Sequence, residues 1–399
     1  MKYGKFCCYK PHISSLTKVE IGRPYLVLDD LYTKRRVGEF QDQLWTIQKA
    51  IFKSNEWRQH NPAALYVLGR DLLRLIDALW LLNKYSTDLS TPLDPETNAY
   101  PSAHMDSIHR LFLQARNKEM PQERKSVTIL NDYFDNHFNG FNRSDISSYI
   151  QLALDASYMR NSKYEYFCLN DHELTSAFLN FSDLIAEGYK IYQHSADLFP
   201  DLHSCKELKF AIDYDRPTLL SSECLATPAE FAKGCFLYYL DFNHVHLGLT
   251  AWQQLCYVKD YWKTANNPGN LVYLEECLVR LIETVSIMRQ QKTLDSYISN
   301  YKAAERVTDL TRNLSFEEYR HPGMVIEGFY MFKKMHKWRT LLNKCLIISL
   351  SNNEKFNSSE RQKLELDFRQ LIKFMEAVYL LFNTINAQTN SPNLQQHII

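Results

Sequence analysis

Glycine and proline are scarce in this 399-residue chain, 11 and 13 residues, and the glycines never gather into a phosphate-cradling loop. That argues against a nucleotide enzyme of the P-loop or dinucleotide-binding type. Net charge is missing as well. The 46 Lys and Arg offset 46 Asp and Glu, so no global field draws nucleic acid to the protein. No apolar run approaches the ~18 residues of a spanning helix, so no membrane segment is expected. The start, MKYGKFCCYKPHISS, lacks the continuous apolar core of a secretory signal. The nine cysteines contain no C-x-x-C pair, which leaves structural zinc without its usual framework. Reduced thiols in a cytoplasmic protein fit this usage.

What is present is aromatic and helix-forming. Tyr and Phe number 25 and 22, and the hydrophobic fraction is 45%, enough for a substantial core. Few breakers among many Leu, Lys, Glu and Gln predict an all-α fold, a large single-domain bundle of long amphipathic helices. Its expected parts are an N-terminal helical subdomain over 1–100, packed on a main helical domain over 101–385, and a polar tail over 386–399.

Residues 1–37 read as irregular, with a short apolar piece at Tyr25-Leu26-Val27-Leu28. Apolar spacing then predicts a helix from Gly38 to Phe52, with Leu44, Ile47 and Ile51 on one face. A second, from Pro62 to Leu82, presents Leu65, Leu68, Leu72, Ile76 and Leu79. Further helices are expected over His104–Arg116, Ser144–Arg160 and His172–Leu198. Thr227, Pro228 and Glu230 read as a capping box that opens a helix running to about Trp262. Pro268-Gly269 breaks the chain before a helix through Arg289, and another spans Leu294–Leu310. A single long helix is expected from Glu317 to Leu350, since Phe329, Phe332, Met335, Leu342 and Leu346 recur at helical spacing. Ser359 and Gln362 suggest a capping box for the last helix, whose inner face is Leu364, Phe368, Leu371, Met375, Val378 and Phe382.

Most polar constellations have a plain structural reading. His244-x-His246 cannot share a helical face, because residues two apart point about 200° apart; His104 and His109 fail the same spacing test. Asp29-Asp30 and Glu275-Glu276 read as solvated faces, and Arg320-His321 as a charge pair at a helix start. Glu318-x-x-His321 is the only Glu-x-x-His pair, and a carboxylate-bridged metal site needs two. No serine or cysteine sits in a nucleophile elbow. His336 lies at the edge of an apolar stripe beside Phe332 and Asn343, where an imidazole is either a satisfied core group or a ligand to a metal or haem iron.

The line Phe332-Lys333-Lys334-Met335-His336-Lys337-Trp338, late in the chain on a predicted helix, resembles the helical haem-dioxygenase superfamily of indoleamine and tryptophan 2,3-dioxygenases and the pyrrolnitrin-pathway enzyme. Pro200 followed by Glu207-Leu208-Lys209, and the helix start Pro228-Ala229-Glu230-Phe231-Ala232-Lys233-Gly234, fall in the order that resemblance requires. It implies haem as cofactor, with His336 as proximal iron ligand and Phe332 and Lys333 beside it. It also implies Lys209 in the place of a substrate-binding Arg, and oxidation of a small indole- or phenol-like substrate. The chain departs from the family where a Ser- and Gly-rich haem loop should follow Gly234, since CFLYYLDFNHVHLG is bulky. Lys209 also lacks the bidentate fork of an Arg. The alternative that the residues leave open is a non-catalytic, all-helical partner-binding protein without cofactor, because aromatic-rich helices build interfaces as well as cores.

Overall fold

The computed structural model describes residues 15–52, 56–87, 149–150, 152–154, 171–198, 219–220, 226–235, 242–259, 261–263, 268–302 and 312–389. Of these, 83% are helical and none lies in a strand. None of the described helices is long and apolar enough to cross a membrane. The helix expected over His104–Arg116, most of that over Ser144–Arg160, and Lys209 lie outside the described residues. The chain divides into two compact units, Met1–His60 with Ala64–Ile212, and Asn61–Ala63 with Asp213–Ile399. The expected subdomain over 1–100 falls almost wholly in the first.

In the first unit, the stretch read as irregular before residue 37 is helical where it is described. Thr17 and Glu20 form a capping box that starts α1, Lys18–Gly22. The Glu20 amide donates to Thr17 Oγ1 at 3.3 Å and the Thr17 amide to Glu20 Oε2 at 2.7 Å. Then α2, Tyr25–Lys34, buries Tyr25, Val27, Leu28, Leu31 and Tyr32. Two long helices follow as predicted, α3, Val37–Phe52, and α4, Pro62–Thr87, with Leu44, Ile47, Ile51, Leu65, Leu68, Leu72, Ile76 and Leu79 all buried. Both α2 and α3 pack on α5, Asp171–Leu198. Gly188 permits this approach: a Cβ there would lie 2.6 Å from the Tyr32 hydroxyl. That hydroxyl donates to the Ile185 carbonyl at 2.7 Å.

The second unit is arranged around two helices. One is α8, Gly269–Gln290, which buries 16 of its 22 residues. A helix buried over most of its circumference belongs inside a fold. Packed on it are α6, Pro228–Gly234; α7, Phe242–Leu255; α9, Leu294–Asn300; and α12, Met335–Leu350. The other is α13, Ser358–Thr389, which receives α6, α7, α9 and α11, Pro322–Phe332; a short α10, Phe316–Arg320, leads into α11. The predicted inner face of α13 is buried at all six positions.

Several expectations are corrected here. Thr227 makes no side-chain cap, and α6 is only seven residues long, so the capping box and the helix to Trp262 do not form as one element. The box on α13 is built from Asn357 and Glu360 instead, with the Glu360 amide donating to Asn357 Oδ1 at 3.0 Å and the Asn357 amide to Glu360 Oε2 at 3.2 Å. Glu275 is buried rather than solvated. Glu317–Leu350 is three helices, not one. His321 leaves helical geometry at φ −128°, ψ 63°, because the ring of Pro322 disfavours an α conformation in the residue before it. A second break falls at Lys333 and Lys334, both extended.

Candidate functional site

The residues singled out by sequence meet at the second break, between α11 and α12. Phe329 and Trp338 stack there at 4.4 Å between ring centroids and 5° between planes, and Phe329 stacks on Phe374 of α13 at 4.0 Å. Nine residues along one helix would separate these side chains by about 13.5 Å and half a turn. The stack therefore requires the chain to reverse at Lys333-Lys334. Trp338 is fully enclosed, and its indole N–H donates to the Phe329 carbonyl at 3.4 Å.

Lys333 holds the same corner. Its ammonium donates to Asp367 at 2.7 Å, a buried carboxylate of α13, and lies 4.8 Å over the Trp338 ring. His336 is the second residue of α12, half-buried, and its carbonyl accepts from the Thr340 hydroxyl at 2.9 Å. Phe332 is 43% exposed. Thus the structure brings Phe332, Lys333 and His336 together, but as parts of a packed corner.

A haem-bound imidazole needs an apolar slot wide enough for the macrocycle in front of its ring. The described neighbours fit that group poorly. Lys333 is committed to Asp367, Phe332 turns outward, and Met335, Trp338 and Phe329 fill the interior side with their own contacts. Among the described residues no group of three or more His, Cys, Asp or Glu could hold a metal ion.

The outer side of α11 differs from its inner side. Val325, Ile326, Phe329 and Tyr330 point inward, and the Tyr330 hydroxyl donates to the Ile282 carbonyl at 2.6 Å. Outward, Met324 and Met331 are 63% and 84% exposed, Gly328 between them has open space around it, and Phe332 closes the end. Positions 324, 328 and 331 share one helical face. Glu327 is the sole charge on α11, and Arg289 engages it bidentately at 2.7 and 2.5 Å. That hydrogen bonding holds the Glu327 carboxyl below its ordinary value. Lys334 and Lys337 beyond Phe332 are exposed and form no ion pair among the described residues. Helical spacing alone does not mark Met324 and Met331, because an apolar residue on a helix reads as core unless its neighbours already supply one. Here Val325, Ile326 and Phe329 do.

A second polar cluster joins α7, the turn before α10, and α13. Glu376, nearly fully buried, accepts from the Asn313 and Leu314 amides at 3.1 Å each and from Asn313 Nδ2 at 2.7 Å. Burial pushes its carboxyl up, and these donors pull it back only in part. Asn313 Nδ2 also lies 3.0 Å from His246 Nε2. Burial, with the charge of Arg312, keeps that imidazole below its ordinary value, so its ring nitrogen is suited to accept the amide proton. The arrangement anchors the turn that leads into α10. No protein-family model matches the chain, and neither curated proteins nor solved structures yield a match.

Proposed function

We propose that the protein is a non-catalytic helical partner-binding protein and that the outer face of α11 is its docking surface. The observation that carries this is the exposed Met324–Gly328–Met331–Phe332 face on a helix with a single, already paired charge. Methionine is unbranched and polarisable, so a methionine face adapts to a partner's shape, and a central glycine leaves a notch for an inserted side chain. The basic margin of Lys334 and Lys337 selects the occupant. A protein segment with apolar anchors and an acidic flank complements it, whereas a second copy would set like charges together across a twofold contact. The absence of disulfides among the four described cysteines suits a cytoplasmic setting.

A photoactivatable residue placed at Met331 in cells should cross-link a discrete partner. The same residue at exposed Lys363 of α13 should not, and Met324→Asp should remove the product. Equal, diffuse labelling at both positions would overturn the proposal. The competing proposal remains haem-dependent oxidation with His336 on the iron. An absorption spectrum of the purified chain before and after adding haem separates the two. We expect no Soret band; one that appears and is lost in His336→Ala would favour the oxidase reading.

A further inference from the structure

What the outer face of α11 offers chemically is sulfur. Met331 is 84% exposed and Met324 63%, so both thioethers stand open to solvent. Seven residues apart, they lie on one side of the helix, about 10 Å from each other along its axis. Gly328 leaves open space between them. The other described methionines supply the contrast. Met335 on α12 follows Met331 by only four residues, yet it lies beyond the reversal at Lys333-Lys334 and is 2% exposed. Met288 on α8 and Met375 on α13 are 0% and 2% exposed. Among the described methionines, the two exposed ones therefore share one face.

A thioether is apolar until a peroxide adds oxygen to it, which makes it a polar, chiral sulfoxide. The oxidant must touch the sulfur. An enclosed methionine meets it only when the surrounding core opens, whereas Met324 and Met331 meet it in the folded state. Oxidation there costs the fold little, because neither side chain is among the buried residues of α11. It changes what the face presents. Two S–O acceptors replace two apolar sulfurs, and any apolar group laid over them must strip away their water.

We propose that Met324 and Met331 form a paired oxidation site, a reversible switch that turns the outer face of α11 from apolar to polar. Each thioether sulfur attacks one oxygen of hydrogen peroxide, and the O–O bond breaks as the S–O bond forms. The sulfur loses two electrons; the departing oxygen takes the remaining proton and leaves as water. Reversal needs a dithiol reductant, which becomes a disulfide while the sulfoxide oxygen leaves as water. The consequence for a partner rests on the docking surface proposed above: oxidation releases an apolar occupant, and reduction readmits it.

The test oxidises the full chain with graded hydrogen peroxide, stops the reaction with catalase and maps oxygen uptake by mass spectrometry. Met324 and Met331 should each gain one oxygen at least about tenfold faster than Met288, Met335 and Met375. The oxidised chain should leave a phenyl-substituted column earlier, with its helical circular dichroism unchanged. A methionine sulfoxide reductase should restore its retention. Met324→Leu combined with Met331→Leu should abolish the peroxide-driven shift, which loosening elsewhere would not explain. Equal rates at the enclosed methionines, or an undiminished shift in the double variant, would overturn the site. For the partner, the chain carrying the photoactivatable residue at position 331 keeps Met324. Oxidised, freed of peroxide and irradiated in desalted cell extract, it should give about tenfold less cross-link, and reduction should return it. An undiminished cross-link at full Met324 oxidation overturns the switch and leaves the docking surface standing. No cross-link from the untreated chain instead refutes the docking surface, and the oxidation site is then decided by rates and retention alone.

Discussion

The two units bury carboxylates by different means. In the first, Arg74 gathers Glu20, Asp30 and Asp71, while Lys34 also reaches Asp30 and Arg35 also reaches Asp71. Two of those three carboxylates therefore touch more than one cation. In the second unit, among the described residues, no more than one Lys or Arg pairs with each of these carboxylates, and amides supply other contacts. Glu283, with no exposure at all, has Arg339 at 2.8 Å and the Leu219 amide; Asp367 has Lys333; Glu376 relies chiefly on amides. Plural partners share the cost of removing one, whereas a single partner leaves a buried charge with little compensation. The number of contacts a cation makes is thus a poor guide to what its removal costs. What remains around each carboxylate decides.

Arg339→Met should test this most severely, because it takes the guanidinium away from a carboxylate with no exposure in the middle of α8. A loss of about 3–5 kcal/mol is expected in chemical denaturation, and Glu283→Leu in the same chain should recover much of it. Arg74→Met removes more ion pairs yet should cost less, about 1–3 kcal/mol, since Lys34 and Arg35 remain and the cluster is partly solvated. If Arg74→Met proves the costlier change, the contrast between plural and single partners is wrong.

The pH dependence sharpens the same contrast. Burial raises the Glu376 carboxyl in the folded state above its ordinary 4.5, so its contribution is present below that value and is lost as pH rises through the raised one. Burial also pushes Asp30 up, but Lys34 and Arg74 outweigh it, and its carboxyl titrates below the ordinary 3.8. Its contribution is present above that value and is lost as pH falls through the lowered one. Glu376→Gln should therefore flatten the stability profile on the neutral side of pH 4.5, and Asp30→Asn on the acid side of pH 3.8. The slope is the readout, and interchanged effects would refute the assignment. Smallest of all, Met324→Asp should change stability by no more than about 0.5 kcal/mol while abolishing the cross-link at α11.

Much of the helical frame was legible because it follows period alone. The inner faces of α3, α4 and α13 each repeat an apolar residue every three or four positions, and burial follows that repeat. The interruption at His321 could also have been read, since Pro322 restricts the residue before it. The reversal at Lys333-Lys334 could not. Neither residue breaks helices, and its causes are distant: Phe374 and Asp367 on a helix that begins 25 residues after Lys333. The Arg74 cluster was illegible for the same reason, since Glu20 and Arg74 lie 54 residues apart. As for the candidate site, period marks which side of a helix is apolar. It does not tell when one helix has two such sides, as α11 does.

The stacked indole at the α11–α12 corner also makes the molecule its own optical probe. Trp338 is sealed from water, parallel to Phe329 and overlaid by the Lys333 ammonium. Its emission should lie to the blue and resist aqueous quenchers. With the other five tryptophans replaced by phenylalanine, one lifetime would report on a corner whose outer edge is Phe332. Anything seated against α11 that loosened this corner would register as a red shift, before any partner had been identified.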